Sequence, residues 1–276
     1  MELADRLVEQ LAAYGRTLVA FSGGIDSSVV LAAAVRALGS AGAAAVTAVS
    51  PALPAAELAE ARRFCAALGV EHYANPTAEL DLPGYRENGP RRCYFCKSIL
   101  LDMARDVATR EGFTVVATGT NASDVVAGFR PGITAAAERG ARTPLADLGL
   151  DKAAVRAVAR HWQLPTWDKP AAACLASRIA FGVTVTPERL GRVSRAEQAV
   201  RALLADQSLV DLRVRDLGES VRVEVDAAAV PVARSHPGLA ATLADAGFAG
   251  VPVHVEVFRS GSMNELLPDP QRVRYS

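Results

Sequence analysis

Serine, glycine and aspartate are concentrated in residues 22–28, the string SGGIDSS. This string follows the β-branched segment Thr17 to Phe21 and precedes a run of helix length with almost no polar residue. Two glycines allow a sharp turn close to an anion, while serine hydroxyls and first-turn amides supply hydrogen-bond donors. The pattern predicts a strand, a tight loop that binds phosphate, and a buried helix. An ordinary serine-capped turn would use the same residue types, so the loop alone leaves both interpretations open.

Three of the four cysteines lie where metal binding or sulfur chemistry is expected. Cys93 and Cys96 form a CxxC pair at the start of a predicted helix, and Cys174 lies in a loop that could reach the same crevice. An isolated CxxC is half a zinc site, a redox pair or coincidence, and no second CxxC completes a four-cysteine zinc set. Three cysteines with an open fourth position suit an iron–sulfur cluster. Cys65 falls on an apolar helix face and is expected to be a buried small hydrophobe.

Strand and helix patterns alternate along the first half of the chain. Predicted strands cover Thr17 to Phe21, Ala44 to Ser50, Val70 to Ala74 and Thr114 to Thr118. Such alternation predicts right-handed βαβ units, a parallel sheet and a ligand crevice at the carboxyl ends of the strands. The string Gly119-Thr120-Asn121-Ala122-Ser123-Asp124 follows the fourth strand. It is ordinary turn chemistry when taken alone, but its place at the edge that holds the first loop favours a nucleotide contact.

The pattern changes near Thr184, so we expect domains at residues 1–183 and 184–276. The second contains a long helix from Pro187, a strand pair at Leu209 to Asp216 and Val221 to Val225, a helical stretch from Val230 to Ala246, and a last strand. This mixture predicts a small α+β domain. Arg213 and Arg215 alternate on a strand and are candidates for a phosphate, although a solvated arginine face would have the same pattern. Glu197 is a weaker candidate.

Length, composition and net charge restrict the classes of function that this chain can have. The chain has 276 residues, half of them hydrophobic, and a formal net charge of zero, which allows a sizeable core and argues against a protein that mainly grips nucleic acid. No apolar run has membrane-spanning length, and Met1 to Arg6 lacks the basic start of a secretory signal. We therefore expect a cytoplasmic protein without a membrane partner. Neither a Walker loop nor a GxGxxG string is present.

The SGGxDS string resembles the pyrophosphatase loop of the adenine nucleotide alpha hydrolase-like superfamily, which cleaves ATP between the α and β phosphates. Further motifs extend the resemblance to nearly the whole chain, and together they are similar to the LarE family. They are Gly119-Thr120-Asn121 with Asp124, Arg130-Pro131-Gly132, Lys169-Pro170, Ala173 to Arg178, and Arg259 to Glu265. The family more usually has an acidic residue at Ser123, and proline and tyrosine at Ala180 and Phe181.

The resemblance implies an α/β fold: a parallel-sheet, Rossmann-like adenine nucleotide alpha hydrolase-like domain with a smaller C-terminal α+β domain. LarE proteins are ATP-dependent sulfur transferases that mature the nickel-pincer nucleotide cofactor of lactate racemase. Their substrate is pyridinium-3,5-biscarboxylic acid mononucleotide, whose carboxylates are activated by adenylation with ATP and Mg²⁺. The implied ATP-binding residues are Ser22, Gly23, Gly24, Asp26, Ser27, Ser28, Gly119, Asn121 and Asp124. The implied substrate-binding residues are Ser177, Arg178, Glu197, Arg213 and Arg215.

Cys174, Asp26 and Arg178 are the implied catalytic residues, and two sulfur sources stay open. Cys174 can give up its own sulfur and become dehydroalanine, or Cys93, Cys96 and Cys174 can hold a [4Fe-4S] cluster that supplies a sulfide; having all three cysteines favours the cluster. The resemblance also implies a homo-oligomer and a hand-off to other cofactor-maturation proteins. The competing interpretations are a tRNA-thiolating pyrophosphatase-loop enzyme, an ammonia-using synthetase, and a nucleotide-sensing or cluster-carrying protein without turnover.

Overall fold

The structure, a computed structural model, describes residues 2–126, 130–170 and 173–266. Within these ranges the chain forms two compact units, one of residues 2–79 and 91–170 and the other of residues 80–90 and 173–266. Sequence patterning placed residues 80–90 and 173–183 in the first domain, whereas their contacts place them in the second unit. Asn88 gives a physical reason, because its buried side-chain amide donates to the carbonyls of Ile179, Ala180 and Val183 at 2.8–3.2 Å.

The first unit is built around four parallel strands in the order β3-β2-β1-β4. The predicted α/β class with a parallel sheet is therefore confirmed. Its elements, in chain order, are α1 (Glu2–Tyr14), β1 (Thr17–Ala20), α2 (Ile25–Leu38), β2 (Ala43–Val49), α3 (Ala55–Leu68), β3 (Glu71–Pro76), then α4 (Pro83–Arg86) of the second unit, and α5 (Arg92–Glu111), β4 (Val115–Thr118), α6 (Ala122–Val126), α7 (Pro131–Glu138), α8 (Pro144–Asp147) and α9 (Lys152–His161).

Helices cover both faces of this sheet. Along β1, Leu18 packs with Val107 of α5 on one face, and Val19 packs with Leu31 of α2 on the other. Both faces are buried, which explains why the strands are continuous apolar runs rather than alternating ones. The buried α2 follows β1 directly, so the intervening loop lies at the carboxyl end of a central strand.

The second unit is a small α+β arrangement. Its elements are a 3₁₀ turn at Leu175–Arg178, α10 (Pro187–Leu203), β5 (Leu212–Asp216), β6 (Val221–Val225), α11 (Val230–Ser235), α12 (Leu239–Leu243), β7 (Val253–Val257) and a 3₁₀ turn at Ser262–Leu266. Strand β5 is antiparallel to β6, and β7 is parallel to β6.

One predicted helix of this unit was wrong. The stretch from Val230 to Ala246 is interrupted between α11 and α12, where Pro237 and Gly238 stand. Proline lacks the amide hydrogen that a continuous helix would need there. In the ranges described above, no helix has both the length and the apolar character needed to cross a membrane.

Candidate active site

Serine hydroxyls hold the loop between β1 and α2 in shape. Ser27 Oγ accepts from the amide of Ser22 at 3.2 Å and donates to the carbonyl of Gly24 at 3.1 Å. Ser22 Oγ lies 3.1 Å from Ser27 Oγ and accepts from the amide of Gly24 at 3.3 Å. Gly23 has φ +73°, a left-handed conformation that glycine adopts without strain. The loop is therefore preformed by its own side chains.

The same loop leads into the amino end of α2, a helix of 14 residues. First-turn amides and the helix dipole favour an anion at this end. Ser28 Oγ is buried and has no hydrogen-bond partner among the described residues. This arrangement suits a phosphate group and places a further hydroxyl beneath it.

The loop after β4 touches this first loop. Asn121 Nδ2 donates to Asp26 Oδ1 at 2.9 Å, and Asn121 Oδ1 accepts from the amide of Asp124 at 3.0 Å. Gly119 approaches so closely that a Cβ on it would lie 2.6 Å from Ser27 N. The structure thus brings together the two strings that the sequence placed at one edge of the sheet.

Asp26 lies in a mixed electrostatic environment. Burial raises the pKa of its carboxyl, the hydrogen bond from Asn121 opposes that rise, and the neighbouring Asp124 adds to it. Lys152 lowers the pKa of Asp26 through its charge. A cation brought by a nucleotide would relieve the repulsion between the two carboxylates. Asp26 and Asp124 are accordingly the residues that fit a magnesium ion held jointly with phosphates and water.

Basic and polar groups surround Asp124. Arg130 forms an ion pair with it at 3.6 Å, and both side chains are partly exposed. Ser123 Oγ accepts from the amide of Lys152 at 3.3 Å, at the start of α9. The hydroxyl at position 123 thus connects the loop after β4 to a helix amino end.

Lys169 is a site residue that sequence reasoning did not assign. Its ammonium donates to Glu57 Oε2 at 2.7 Å, to Glu60 Oε2 at 2.8 Å and to the carbonyl of Gly23 at 3.2 Å. Burial lowers the pKa of Lys169, but the two carboxylates outweigh this, so the pKa stands above its ordinary value. The available signal was the Lys169-Pro170 string together with two glutamates spaced i, i+3 at the start of α3.

Cys93 and Cys96 lie in the first turn of α5 in the first unit, the former exposed and the latter partly exposed. Lys97 follows them, and burial lowers its pKa against an opposing effect of Cys96. Gly132 packs against this turn, because a Cβ on it would lie 3.6 Å from the Cys93 carbonyl and 3.8 Å from Lys97 Cβ. The CxxC pair is therefore set beside the Arg130-Pro131-Gly132 string.

Cys174 is exposed and belongs to the second unit. Throughout the described ranges, no group of three or more His, Cys, Asp or Glu side chains is arranged to hold a metal ion. Cys93 and Cys96 of the first unit supply two thiolates, so an iron–sulfur cluster there would need Cys174 or another ligand in addition.

Arg178 holds the segment that carries Cys174. Its guanidinium donates to the carbonyl of Ala173, to the carbonyl of Cys174 at 3.1 Å and to Ser177 Oγ at 3.1 Å. Ser177 Oγ also donates to the Cys174 carbonyl at 2.7 Å. On its other side, Arg178 pairs with Glu197 of α10 at 3.0 Å. Three predicted substrate residues thus form one network that fixes the backbone of Cys174.

Arg213 and Arg215 of β5 extend this network. Arg215 pairs with the buried Glu224 at 2.8 Å and donates to the carbonyl of Ser177 at 3.3 Å. Burial lowers the pKa of Arg213, and the charges of Arg178 and Arg215 lower it further. Three guanidinium groups close enough to repel one another suit an anion such as a phosphate or carboxylate.

The C-terminal string reaches the same strand pair. Ser262 Oγ donates to Glu224 Oε1 at 2.8 Å, and Arg259 pairs with Glu265 at 2.6 Å. The side chain of Asn264 lies outside the described residues. Sequence reasoning missed Glu224, whose only signal is the pairing of β5 with β6, whereas Ser262 lies in the Arg259 to Glu265 string that carries part of the family resemblance.

Comparisons with known proteins cover both units. Residues 2–204 match the asparagine synthase family. An uncharacterised protein of Synechocystis sp. is 39% identical over 255 residues, which are 91% of this chain and 93% of that protein. The pyridinium-3,5-bisthiocarboxylic acid mononucleotide synthase of Lactiplantibacillus plantarum is 31% identical over 271 residues, 98% of this chain and 96% of the synthase. An uncharacterised protein of Methanocaldococcus jannaschii is 23% identical over 248 residues, 89% of this chain and 91% of that protein.

Proposed function

Because the chain belongs to the asparagine synthase family, and within it to the LarE family of ATP-using sulfurtransferases, we propose that it converts the carboxylates of pyridinium-3,5-biscarboxylic acid mononucleotide to thiocarboxylates. The product would be the precursor of the nickel-pincer nucleotide and serve lactate racemase maturation. The observation that carries the proposal is the full-length similarity to the Lactiplantibacillus synthase, combined with the contact between Asn121 and Asp26 that joins both nucleotide-binding strings.

Activation of the carboxylate is the first step. A carboxylate oxygen attacks the α phosphorus of ATP, the bond from that phosphorus to the pyrophosphate oxygen breaks, and an acyl-adenylate forms. We assign the departing pyrophosphate to the loop of residues 22–28 and the amino end of α2, where amides and hydroxyls converge. Asp26 and Asp124 would hold Mg²⁺ against the phosphates, and the ion would neutralise charge as the bond breaks.

Cys174 is the sulfur donor that we propose. Its thiolate attacks the activated carbonyl and expels AMP, giving a thioester. A base then removes the Cα proton of Cys174, the Cβ–Sγ electron pair leaves with sulfur, and the products are a thiocarboxylate and dehydroalanine. With this donor, one chain makes one transfer. The exposure of Cys174 and the hydrogen bonds that fix its backbone support this choice. The alternative donor is a sulfide of a [4Fe-4S] cluster held by Cys93, Cys96 and Cys174, and the test below distinguishes the two.

The arginines of the second unit are the proposed binding residues for the anionic substrate. Arg178, Arg213 and Arg215 concentrate positive charge beside the segment of Cys174, and Glu197 and Ser177 hold Arg178 in place. A pyridinium nucleotide carries a phosphate and two carboxylates, which guanidinium groups recognise through paired hydrogen bonds. We further propose a cytoplasmic homo-oligomer that hands its product to other maturation proteins.

The test starts from anaerobically purified protein with its iron and acid-labile sulfide quantified. The protein is incubated with ATP, Mg²⁺ and the pyridinium biscarboxylate nucleotide, and pyrophosphate, AMP, thiocarboxylate and intact protein mass are measured. The proposal expects the loss of one H₂S mapped to Cys174, in a one-to-one ratio with thiocarboxylate. Cys174→Ala should still release pyrophosphate and form the acyl-adenylate but give no thiocarboxylate, while Cys93→Ala/Cys96→Ala should keep a single transfer.

Each contrary result has its own meaning. Thiocarboxylate formed with iron bound and Cys174 intact would overturn the sacrificial donor and favour the cluster. An absence of both AMP and thiocarboxylate in the unmodified chain would overturn the substrate assignment. AMP formed only with tRNA as acceptor would establish the tRNA-thiolating alternative, which the zero net charge disfavours. ATP binding without pyrophosphate release would indicate a nucleotide sensor.

A further inference from the structure

We propose that Lys169 is a positioning residue of the phosphate loop, and that Glu57 and Glu60 hold it in that role. The inference rests on one part of the proposed function, the binding of ATP, because it concerns how the loop of residues 22–28 binds a triphosphate. It does not depend on the sulfur-transfer step. Lys169 acts through the carbonyl of Gly23 and does not touch the reacting atoms.

The peptide between Gly23 and Gly24 is fixed at both of its polar ends. Its carbonyl accepts from Lys169 Nζ at 3.2 Å, and its amide donates to Ser22 Oγ at 3.3 Å. Both neighbours are glycines, so nothing in their side chains resists rotation of this peptide plane. A rotated plane would turn carbonyl lone pairs toward the space where an anion must bind. Lys169 therefore stabilises the loop orientation that suits phosphate.

Two carboxylates determine where the ammonium lies. Glu57 and Glu60 are spaced i, i+3 on α3 and bind Lys169 at 2.7 and 2.8 Å. The Lys169 side chain is 15% exposed and that of Glu57 is 20% exposed, whereas Glu60 is 47% exposed. Glu57 is thus the partner less screened by water, and Glu60 assists from the surface.

A different role is conceivable from the chemistry alone, namely that Lys169 leaves the glutamates and binds a phosphate itself. The two roles predict opposite changes in nucleotide affinity when the two carboxylates are removed. Freeing a phosphate-binding lysine from Glu57 and Glu60 would strengthen nucleotide binding. Removing the holders of a positioning lysine would weaken it.

The experiment uses the full chain and measures the affinity for Mg²⁺ and the α,β-methylene analogue of ATP by titration calorimetry. The four proteins are the unmodified chain, Lys169→Met, Glu57→Gln/Glu60→Gln, and the triple variant that combines all three changes. We expect the unmodified chain to bind most tightly and each of the others to bind about tenfold more weakly, the loss typical of one charge-assisted hydrogen bond. Lys169→Arg should recover part of the affinity, and thermal unfolding checks that each variant is folded.

These four proteins distinguish a positioning role of Lys169 from an effect of local net charge on nucleotide affinity. The net charge of the three side chains is −1 in the unmodified chain, −2 in Lys169→Met, +1 in the double variant and 0 in the triple variant. If local charge alone governed binding, affinity would rise in the order of that charge, with the double variant tightest. That order, or equal affinity in all four proteins, would overturn the proposal. The analogue needs no acceptor, so a failure of the substrate assignment would leave this test intact.

Discussion

The side-chain amide of Asn121 donates a 2.9 Å hydrogen bond to Asp26 Oδ1 across 95 residues of sequence. Asn121 is completely buried, and its Oδ1 accepts from the amide of Asp124 at 3.0 Å. An acceptor that faces a backbone amide must be the oxygen, so the orientation of the Asn121 amide is fixed. The loop after β4 therefore holds the Asp26 carboxylate in place through a donor of fixed orientation.

Replacing Asn121 should move the pH dependence of ATP turnover. Burial raises the pKa of Asp26, and the Asn121 hydrogen bond opposes that rise. Asn121→Ala removes the opposing contribution, so the pKa rises further and the carboxylate is protonated at a higher pH. We expect the acidic limb of the profile for pyrophosphate release to shift to higher pH. Ser123→Ala changes the same loop and serves as the control, and its acidic limb should match that of the unmodified chain. Identical acidic limbs in all three proteins would contradict a role of Asn121 in setting the pKa of Asp26.

Gly119 should not accept a side chain. An alanine Cβ there would lie 2.6 Å from Ser27 N and 2.9 Å from Asp26 C, both backbone atoms that cannot move aside cheaply. We expect Gly119→Ala to lower ATP turnover by about 100-fold, since a displacement near 1 Å costs about that much, and to destabilise the fold by about 1–3 kcal/mol.

Gly89 offers a matched control, because a Cβ there meets nothing within 4 Å. Gly89→Ala should leave turnover near that of the unmodified chain. Initial rates of pyrophosphate release and urea unfolding measure the two effects. Normal turnover in Gly119→Ala would show that the two loops do not need this close approach.

The sequence predicted the meeting of the two ATP-binding strings because it followed from topology. Each string comes directly after a strand, and parallel strands place their carboxyl ends at one edge of a sheet. Gly69 ends α3 with a left-handed φ of 66°, and a glycine after a helical pattern is a local signal for such an end. Local signals and the rule for parallel sheets were sufficient at these positions.

Local signals and the rule for parallel sheets did not predict the contacts made by segments without regular secondary structure. Lys169 meets Glu57 across 112 residues, and it does so from a proline-rich stretch with no hydrophobic period. Residues 80–90 lie between β3 and α5 in the sequence but belong to the second unit, where the side-chain amide of Asn88 donates to three carbonyls. Such contacts join residues that are far apart in the sequence, so no local sequence pattern predicts them.

His72 should make stability depend on pH. Thr47 Oγ1 donates its proton to the Phe21 carbonyl at 2.7 Å and lies 2.8 Å from His72 Nε2, so this nitrogen is the donor to Thr47. Burial lowers the pKa of His72, and Arg62 lowers it further. A base with a lowered pKa contributes stability above its unfolded pKa of about 6.5 and loses it as the pH falls toward the folded value.

The measurement is the urea midpoint at about pH 7.5 and about pH 5.5. We expect the unmodified chain to lose more stability on acidification than His72→Gln does. His161→Gln changes an exposed histidine at the end of α9 and should behave like the unmodified chain. An equal acid-induced loss in His72→Gln would contradict the role of this ring.

The cysteines should react in the order of their exposure. Burial raises the pKa of Cys65 to about 12, whereas Cys93 and Cys174 are exposed. Because the thiolate is the nucleophile, iodoacetamide at about pH 8 should alkylate the two exposed residues and spare Cys65. Peptide mass mapping checks this, and unfolding in urea should release Cys65 to the reagent. Early labelling of Cys65 in the folded chain would show that its burial is incomplete.

Asp216 should be the most sensitive charged residue of the second unit. Its side chain is fully buried and accepts from Arg189 at 2.8 Å and from the Gly218 amide at 3.0 Å, while Arg192 binds it from the same helix as Arg189. Removing one member of a buried ionic network leaves uncompensated charge, so Asp216→Ala should lose about 3–5 kcal/mol of unfolding free energy.

Asp206→Asn, at an exposed position, is the control and should stay within about 0.5 kcal/mol of the unmodified chain. Asp216 ends the strand that carries Arg213 and Arg215, so its loss should also weaken binding of the pyridinium nucleotide. Urea unfolding and calorimetric titration measure the two effects. If Asp216→Ala kept both its stability and its affinity for the pyridinium nucleotide, β5 would hold its position without this ionic network. The ion pairs between Asp216 and α10 would then not be what positions Arg213 and Arg215.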